Sequence, residues 1–303
     1  MSGAVRIVLA TCRPKPALTA SDGHLAEALR RAGATVLAMP WDEIDPGRED
    51  GLVCLRSTWD YHLRWDEFRD WIEGFGQRGR LWNPAETVLW NADKSYLRDL
   101  AARGIALPRT EWLVPGERPD ITRLLGEWGL TRAVLKPRIS ATAFGTHVVS
   151  RETRLGAEEW AALERSGCLL QAFVPEIQSR GEVSLVFLHD GFSHAVLKRP
   201  GAGDFRVQMD FGGTLEPTAP ADATVAFGRA VLRTAGRPWV YARVDLVETE
   251  AGPVLMELEL IEPDLFLSPG SAARLAEGLL QGAPRSAAQR SGLSAAPPGR
   301  VMP

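Results

Sequence analysis

The sequence predicts an α/β (α+β) protein built as a small parallel-sheet lobe, a mixed middle segment and an antiparallel lobe. Three observations carry that prediction. In the first 90 residues short apolar runs alternate with helical periodicity, the pattern of strand–helix units that build a parallel sheet. From residue 169 to residue 260 strand-like segments follow one another with a single helical interruption, which suits antiparallel pairing. The composition is that of a globular chain, with 45% of residues in the AVILMFWYC set and 24% charged, so neither disorder nor a fibrous repeat dominates.

The elements follow in order. Residues 5–10 read as a buried strand, and 22–32 as a helix with Leu25, Ala28 and Leu29 on one face and Gly33 just past its end. Strands at 35–39 and 52–55 and a helix at 65–74 complete the first lobe. After Asn83-Pro84 a helix spans 93–102, and strands at 110–113 and 133–136 flank a helix at 121–128. Strands at 169–173, 183–189, 194–198, 239–247 and 254–260 follow, interrupted by a helix at 221–235. The tail from residue 283 has no apolar period and is expected to be disordered. With 303 residues there is room for more than one domain at about 150 residues each. The expected division is 1–90, 91–170, 171–282 and a tail at 283–303.

Composition also excludes functions. The formal net charge is −3 with neither sign segregated, against a nucleic-acid partner, which calls for a basic footprint. No run of 18 apolar residues is present, so no membrane span is expected, and the N-terminus lacks the features of a signal peptide. Three scattered cysteines, Cys12, Cys54 and Cys168, point to reduced thiols and a cytoplasmic setting. A dinucleotide oxidoreductase on the first lobe is excluded, because Thr11-Cys12-Arg13-Pro14 stands where a glycine-rich turn belongs.

The chemistry gathers in four places. Residues 239–248 and 254–261 alternate strictly, so Arg243 and Asp245 share one face and Glu257 and Glu259 share another, with Met256, Leu258 and Leu260 opposed. A hairpin centred near Ala251 sets Asp245 opposite Glu257 and Arg243 opposite Glu259. Three carboxylates that close repel unless a cation sits among them, and oxygen ligands suit magnesium with phosphate. A solvent-facing hairpin in which Arg243 pairs with a glutamate is the plain alternative. Second, Lys94 precedes a helix, and Lys136 ends a strand before a loop of small residues whose N–H groups and the Ser140, Thr142 and Thr146 hydroxyls could cradle anionic oxygens. An ordinary loop would read the same way. Third, the strand ending in Gln171-Ala172-Phe173-Val174-Pro175 offers backbone groups to a base edge, and Glu182 could accept ribose hydroxyl hydrogens; an edge strand closed by proline is the alternative. Fourth, Lys198, Arg199 and Arg206 form a basic stretch, either a solvated face or an anion clamp.

Taken in this order, the segment from Asn83 to Leu280 resembles the ATP-grasp superfamily of carboxylate–amine ligases, which includes glutathione synthetase and D-alanine–D-alanine ligase. The resemblance rests on Lys94, Lys136-Pro137, Gln171–Val174 with Glu182, Arg243-Val244-Asp245 and Glu257-Leu258-Glu259. The first lobe, through Arg56-Ser57-Thr58-Trp59-Asp60-Tyr61, is similar to the domain preceding the ATP-grasp region in glutathione-synthetase-like bacterial proteins, a subgroup that resembles the ligase closing the D-cycloserine ring. Two departures stand out: Glu259 replaces the asparagine of better-known members, and Ser140, Ala141 and Ala143 stand where glycines are common.

The resemblance implies ATP and Mg²⁺, with Mn²⁺ as a substitute, and small-molecule substrates of amino-acid metabolism or antibiotic biosynthesis. ATP would lie against Gln171, Phe173 and Val174, with Glu182 on the ribose, Lys94 and Lys136 on the phosphates, and the loop carrying Ser140, Thr142, Gly145 and Thr146 closing over them. Asp245, Glu257 and Glu259 would hold the metal, and Arg243, Arg206 and Lys198 would act in the chemical step. The implied reaction joins a carboxylate of a small amino acid or dipeptide to an amine through an acylphosphate. Ring closure within one amino-acid derivative, and a nucleotide-binding protein without transfer, are the alternatives. Glu262, Ser268 and Ser271 are expected at the substrate. So are Arg56, Ser57 and Asp60, which follow a strand whose carboxyl end faces the cleft in an open α/β sheet. A homo-oligomer is left open.

Overall fold

Alternate side chains of β1 (Arg6–Thr11) pack to opposite sides of the first sheet: Ile7 and Leu9 into one cluster, Val8 and Ala10 into another. A computed structural model describes residues 4–76, 78–201 and 212–282. α1 (Ala20–Arg31), whose N-terminus is capped by Thr19 accepting from the Asp22 N–H at 3.0 Å, covers the first cluster. β2 (Thr35–Pro40), β3 (Leu52–Leu55), α2 (Trp65–Gly76) and β4 (Leu81–Trp82) complete the lobe. The sheet is parallel in the order β2-β1-β3-β4. α2 covers the second cluster with Phe68, Trp71, Ile72 and Phe75, packed with Trp41 and Tyr61.

Next come α3 (Ala85–Ala92), α4 (Tyr96–Ala102), β5 (Thr110–Leu113), α5 (Ile121–Trp128), β6 (Ala133–Pro137), β7 (His147–Val149), α6 (Ala157–Ser166) and β8 (Cys168–Ala172). The four strands form an antiparallel sheet ordered β5-β8-β6-β7, backed by Leu124 and Leu125 of α5 and Leu163 of α6. The chain then runs through α7 (Glu176–Ser179), β9 (Glu182–Leu188), β10 (Gly191–Arg199), β11 (Thr214–Thr218), α8 (Asp222–Ala235), β12 (Tyr241–Thr249), β13 (Gly252–Glu259) and α9 (Pro269–Gly282). This third sheet is antiparallel, ordered β11-β10-β9-β12-β13. α4 and α8 cover one of its faces, and Gly228 of α8 lies so close to β9 that an added Cβ would sit 2.6 Å from Leu185. α9 packs Ala272, Leu275 and Leu279 against α1 and against Val186 and Leu188, joining the first and third sheets.

Several expectations are corrected. The helix expected over 93–102 begins only at Tyr96, because Asp93 bonds the Ser95 N–H at 2.8 Å and pairs with Arg138 at 2.5 Å, holding a turn before it. Its residues Tyr96, Leu97 and Leu100 pack on the third sheet. β8 is an interior strand and not an edge, since β5 and β6 flank it. Helices α3, α6, α7 and α9 and strands β4, β7 and β11 have no counterpart among the elements expected from the sequence. Residue Arg206 and the tail at 283–303 lie outside the described residues. Among the described residues no helix is long and apolar enough to cross a membrane.

One feature of β13 matters for the site. As the outer strand of its sheet it would leave backbone groups open on one side. Side chains fill them instead. The Leu258 carbonyl accepts from Asn91 at 2.8 Å and Tyr96 at 2.9 Å, and the Leu258 N–H donates to the Tyr96 oxygen at 2.9 Å. The Leu260 N–H donates to Asn91 Oδ1 at 2.7 Å, and the Leu260 carbonyl accepts from Asn83 at 2.7 Å. The strand that carries Glu257 and Glu259 is thereby held along its free edge.

Candidate active site

The hairpin register is the expected one: Arg243 pairs with Glu259 and Asp245 with Glu257. Asp245 also lies opposite Ser184 of β9, and Lys198 of β10 opposite Glu182, so the charged residues share the sheet face not covered by α4 and α8. A register shift between Asp245 and Leu246 turns Leu255 into the apolar core and Met256 toward the charged side. Met256 therefore does not oppose Glu257 as the simple alternation expects.

The ion pairs are dense. Asp245 accepts from Arg243 Nε and Nη2 at 3.0 Å each, from Ser184 at 2.5 Å and from Lys198 at 3.1 Å. Lys198 also pairs with Glu182 at 2.5 Å, and Arg243 with Glu259 at 2.5 Å. Lys94 pairs with Glu257 at 3.1 Å and donates to the Ser140 carbonyl at 2.8 Å, tying the small-residue loop to β13.

These contacts set the electrostatics. Burial pushes the Asp245 carboxyl up, but Arg243 and Lys198 outweigh it and hold the group below the ordinary carboxylate range. Burial likewise opposes Lys94 and Lys136 at Glu257, and the lysines prevail, so that carboxyl is lowered. Glu259 goes the other way: burial drives it up to about 8, Arg243 pulls it down, and Asp245, Glu257 and Glu262 add to the rise. Burial, with Glu257 adding to it, also raises Glu262 to about 7. Burial lowers the Lys136 ammonium, which has no ion-pair partner among the described residues.

All this borders one cavity of about 580 Å³, within the range of small-molecule sites. One end is apolar, walled by Val134, Phe173, Val174, Ile177 and Met256. The other end is charged, with Lys94, Lys136, Lys198 and Arg243 facing Glu182, Asp245, Glu257, Glu259 and Glu262. Gln171, Ser140, Thr142 and Thr146 also line it, and Gln171 donates to Thr110 at 3.2 Å. Thr142 and Ala143 adopt φ of +52° and +58°, the left-handed region that glycine favours, so this loop takes a glycine-like path with side chains that resist it. Gly145 does not line the cavity; its φ is +65° and a Cβ there would meet Pro137 at 2.9 Å, so it serves the turn.

Other expected substrate residues are elsewhere. Arg56 is fully buried, pairs with Asp22 at 2.7 Å and donates to the Pro263 carbonyl at 2.9 Å. Ser57 is fully buried, and Asp60 accepts from Trp41 Nε1 at 2.9 Å. None of the three lines the cavity. Ser268 and Ser271 cap α9 reciprocally, the Ser268 N–H donating to Ser271 Oγ at 2.9 Å and the Ser271 N–H to Ser268 Oγ at 3.3 Å. Of the first lobe, Trp59, Tyr61 and Lys15 reach the cavity instead. Lys15 was not anticipated; its place just after β1, at the carboxyl end of a parallel strand, was the available signal.

Among the described residues no three carboxylate, imidazole or thiol groups converge closely enough to hold a metal by themselves. Both oxygens of Asp245 are taken by Arg243, Lys198 and Ser184. Magnesium needs only one or two carboxylates when phosphate oxygens complete its shell. Glu257 and Glu259 fit that need: each has one oxygen in an ion pair, and the raised Glu259 marks a place short of positive charge.

Residues 7–83 match the family model described as the N-terminal domain of the D-cycloserine synthetase DcsG. The chain is 29% identical over 280 residues to the cycloserine biosynthesis protein DcsG of Streptomyces lavendulae, covering 85% of this chain and 92% of that protein. The crystal structure of D-cycloserine synthetase DcsG superposes with a TM-score of 0.76 at 28% identity, over 91% of this chain and 99% of that one. D-alanine–D-alanine ligase of Bacillus anthracis matches with a TM-score of 0.64 at 13% identity, over 93% and 97% of the two chains. The ATP-grasp ligase PsnB, complexed with a variant of its minimal precursor, Mg and ADP, matches at 0.59 and 15%, over 92% and 98%. The fold is that of the ATP-grasp ligases.

Proposed function

We propose that this ATP-grasp chain is an ATP- and Mg²⁺-dependent ligase that joins a carboxylate to an amine nitrogen through an acylphosphate, acting on a small amino acid or its derivative. The observation that carries the reading is a cavity with an apolar end fit for a base and a charged end fit for phosphates. Val134, Phe173, Val174 and Met256 take the adenine, and Glu182 the ribose. Lys136 and Lys94 neutralise phosphate oxygens beneath the loop that carries Ser140, Thr142 and Thr146. Glu257 and Glu259, with Asp245, would hold Mg²⁺, which would offset phosphate charge when bound.

A substrate carboxylate oxygen then attacks the γ-phosphorus, the bond to the bridging oxygen breaks, and ADP leaves. A nitrogen lone pair attacks the acyl carbon, inorganic phosphate departs and the nitrogen loses a proton. Arg243 stabilises the oxyanion of that second step, and Lys198 steadies Asp245 and Glu182 beside it. Where both reacting groups lie on one molecule, the same steps close a ring. The likeness of residues 7–83 to the first domain of a D-cycloserine synthetase favours that version, because Trp59 and Tyr61 of this lobe border the cavity.

The test is ADP formation with Mg-ATP against a panel of amino acids, dipeptides and O-ureido-serine, with product mass. The expected result is ADP together with a product lighter than its precursor or precursors by one water. ATP consumption without any such product across the panel would contradict the reading.

A further inference from the structure

Resting on the ligase reading, we propose that Glu262, on a segment whose carbonyls are held by Trp59 and Arg56 of the first lobe, holds the ammonium group of the amino-acid substrate. Five other carboxylates border the cavity. Four lie on the strands, each with a cation within 3.1 Å: Glu182 and Asp245 share Lys198, Glu257 has Lys94 and Glu259 has Arg243. The fifth, the half-exposed Asp264, accepts from the Phe266 N–H at 2.9 Å. Glu262 has no such cation among the described residues, although it is 8% exposed and lines the same cavity. A carboxylate so placed wants a positive partner, and here the open side is the substrate space.

The backbone around it is fixed with unusual completeness. Four consecutive carbonyls, Ile261 to Asp264, each accept a side-chain hydrogen bond: from Tyr241 at 2.9 Å, Trp59 at 3.2 Å, Arg56 at 2.9 Å and Arg243 at 3.0 Å. Three of those donors are themselves buried. The segment is thus held on both sides of Glu262, so its carboxylate is presented to the cavity at a set place. Two of the donors belong to the first lobe, in the run 56–61 that the sequence suggested for substrate contact. Arg56 does not line the cavity and supports the segment that carries the carboxylate.

The neighbouring surfaces distinguish an ammonium from a metal ion. Glu262 lies beyond the end of β13, and Trp59 and Tyr61 border the same cavity. The Trp59 ring already carries an alkylammonium, that of Lys15 at 4.9 Å, and Tyr61 stacks on Phe68, whereas hydrated Mg²⁺ prefers several oxygen ligands and phosphate.

The experiment compares D- and L-serine with D- and L-glycerate, in which a hydroxyl replaces the ammonium, as probes of ADP formation by the full chain and by Glu262→Gln. In the wild-type protein, loss of the ammonium should lower kcat/KM by about 10²-fold, the scale of unpairing one partner of a buried charge pair. In Glu262→Gln, serine should lose about as much, and the serine–glycerate gap should nearly close. ATP affinity by calorimetry should stay within about twofold of wild type in the variant, on the scale of a few tenths of a kcal/mol for independent sites. Glu262→Asp, which keeps the charge, should retain a measurable gap and covers the case in which the amide variant folds poorly. A full gap retained in Glu262→Gln overturns the assignment. No ADP from the wild-type protein with any amino acid would instead refute the ligase reading on which it rests.

Discussion

Arg56→Met should lower stability by about 3–5 kcal/mol, the usual result of breaking a buried ion pair from one side. Arg56 is fully buried between Asp22, the Leu55 and Pro263 carbonyls and the Tyr241 ring, 5.2 Å from its guanidinium. Methionine fills much of the volume but leaves the Asp22 carboxylate, 2% exposed, without its cation. Urea denaturation should show a lower midpoint at an unchanged slope. The double variant Arg56→Met/Asp22→Leu should recover part of the loss, since it removes the stranded charge. An unchanged midpoint for the single variant would mean that the pair does not support the fold.

Arg243→Met should cut turnover by about 10²–10³-fold, the cost of losing one donor to a developing oxyanion. Arg243 is central to the cluster: it holds Asp245, Glu259 and the Asp264 carbonyl at once. Its loss should therefore also destabilise the chain, so rates must be compared at a temperature where circular dichroism shows both proteins folded. ATP affinity should change much less than kcat, because Lys94 and Lys136 remain. Equal losses in affinity and rate would place Arg243 in ground-state binding only.

The parts of this molecule that were legible in its sequence share a short range. In the β12–β13 hairpin the pairs Arg243–Glu259 and Asp245–Glu257 were legible, because strand alternation has a period of two and Gly252 marks the turn, while the register nearer the turn is one residue away from a hairpin centred on Ala251. The bulge beside Asp245 could not be read, and it moved Met256. α6 escaped because it buries only Leu163 fully and so shows a weak apolar period. α9 has its start signals in Ser268, Pro269 and Ser271, but the same two serines also suit a substrate contact, and only the folded chain separates the two roles.

Arg56 shows how long-range pairing hides a structural role. A polar run after a strand in an open sheet normally meets ligand, and nothing local says that its partners are Asp22 and Pro263, 34 and 207 residues away. Lys15 and Trp59 were hidden for the same reason. Their place in the cavity depends on how the first lobe docks on the segment after β13, which long-range packing decides.

The central claim is that a substrate carboxylate is phosphorylated by ATP before the nitrogen attacks. Labelling both carboxylate oxygens of the active substrate with ¹⁸O, and measuring the released inorganic phosphate by mass spectrometry, tests it most directly. One ¹⁸O atom is expected in each phosphate, carried over when the acyl–oxygen bond breaks. Phosphate free of label, formed while ATP is consumed and product appears, would contradict it.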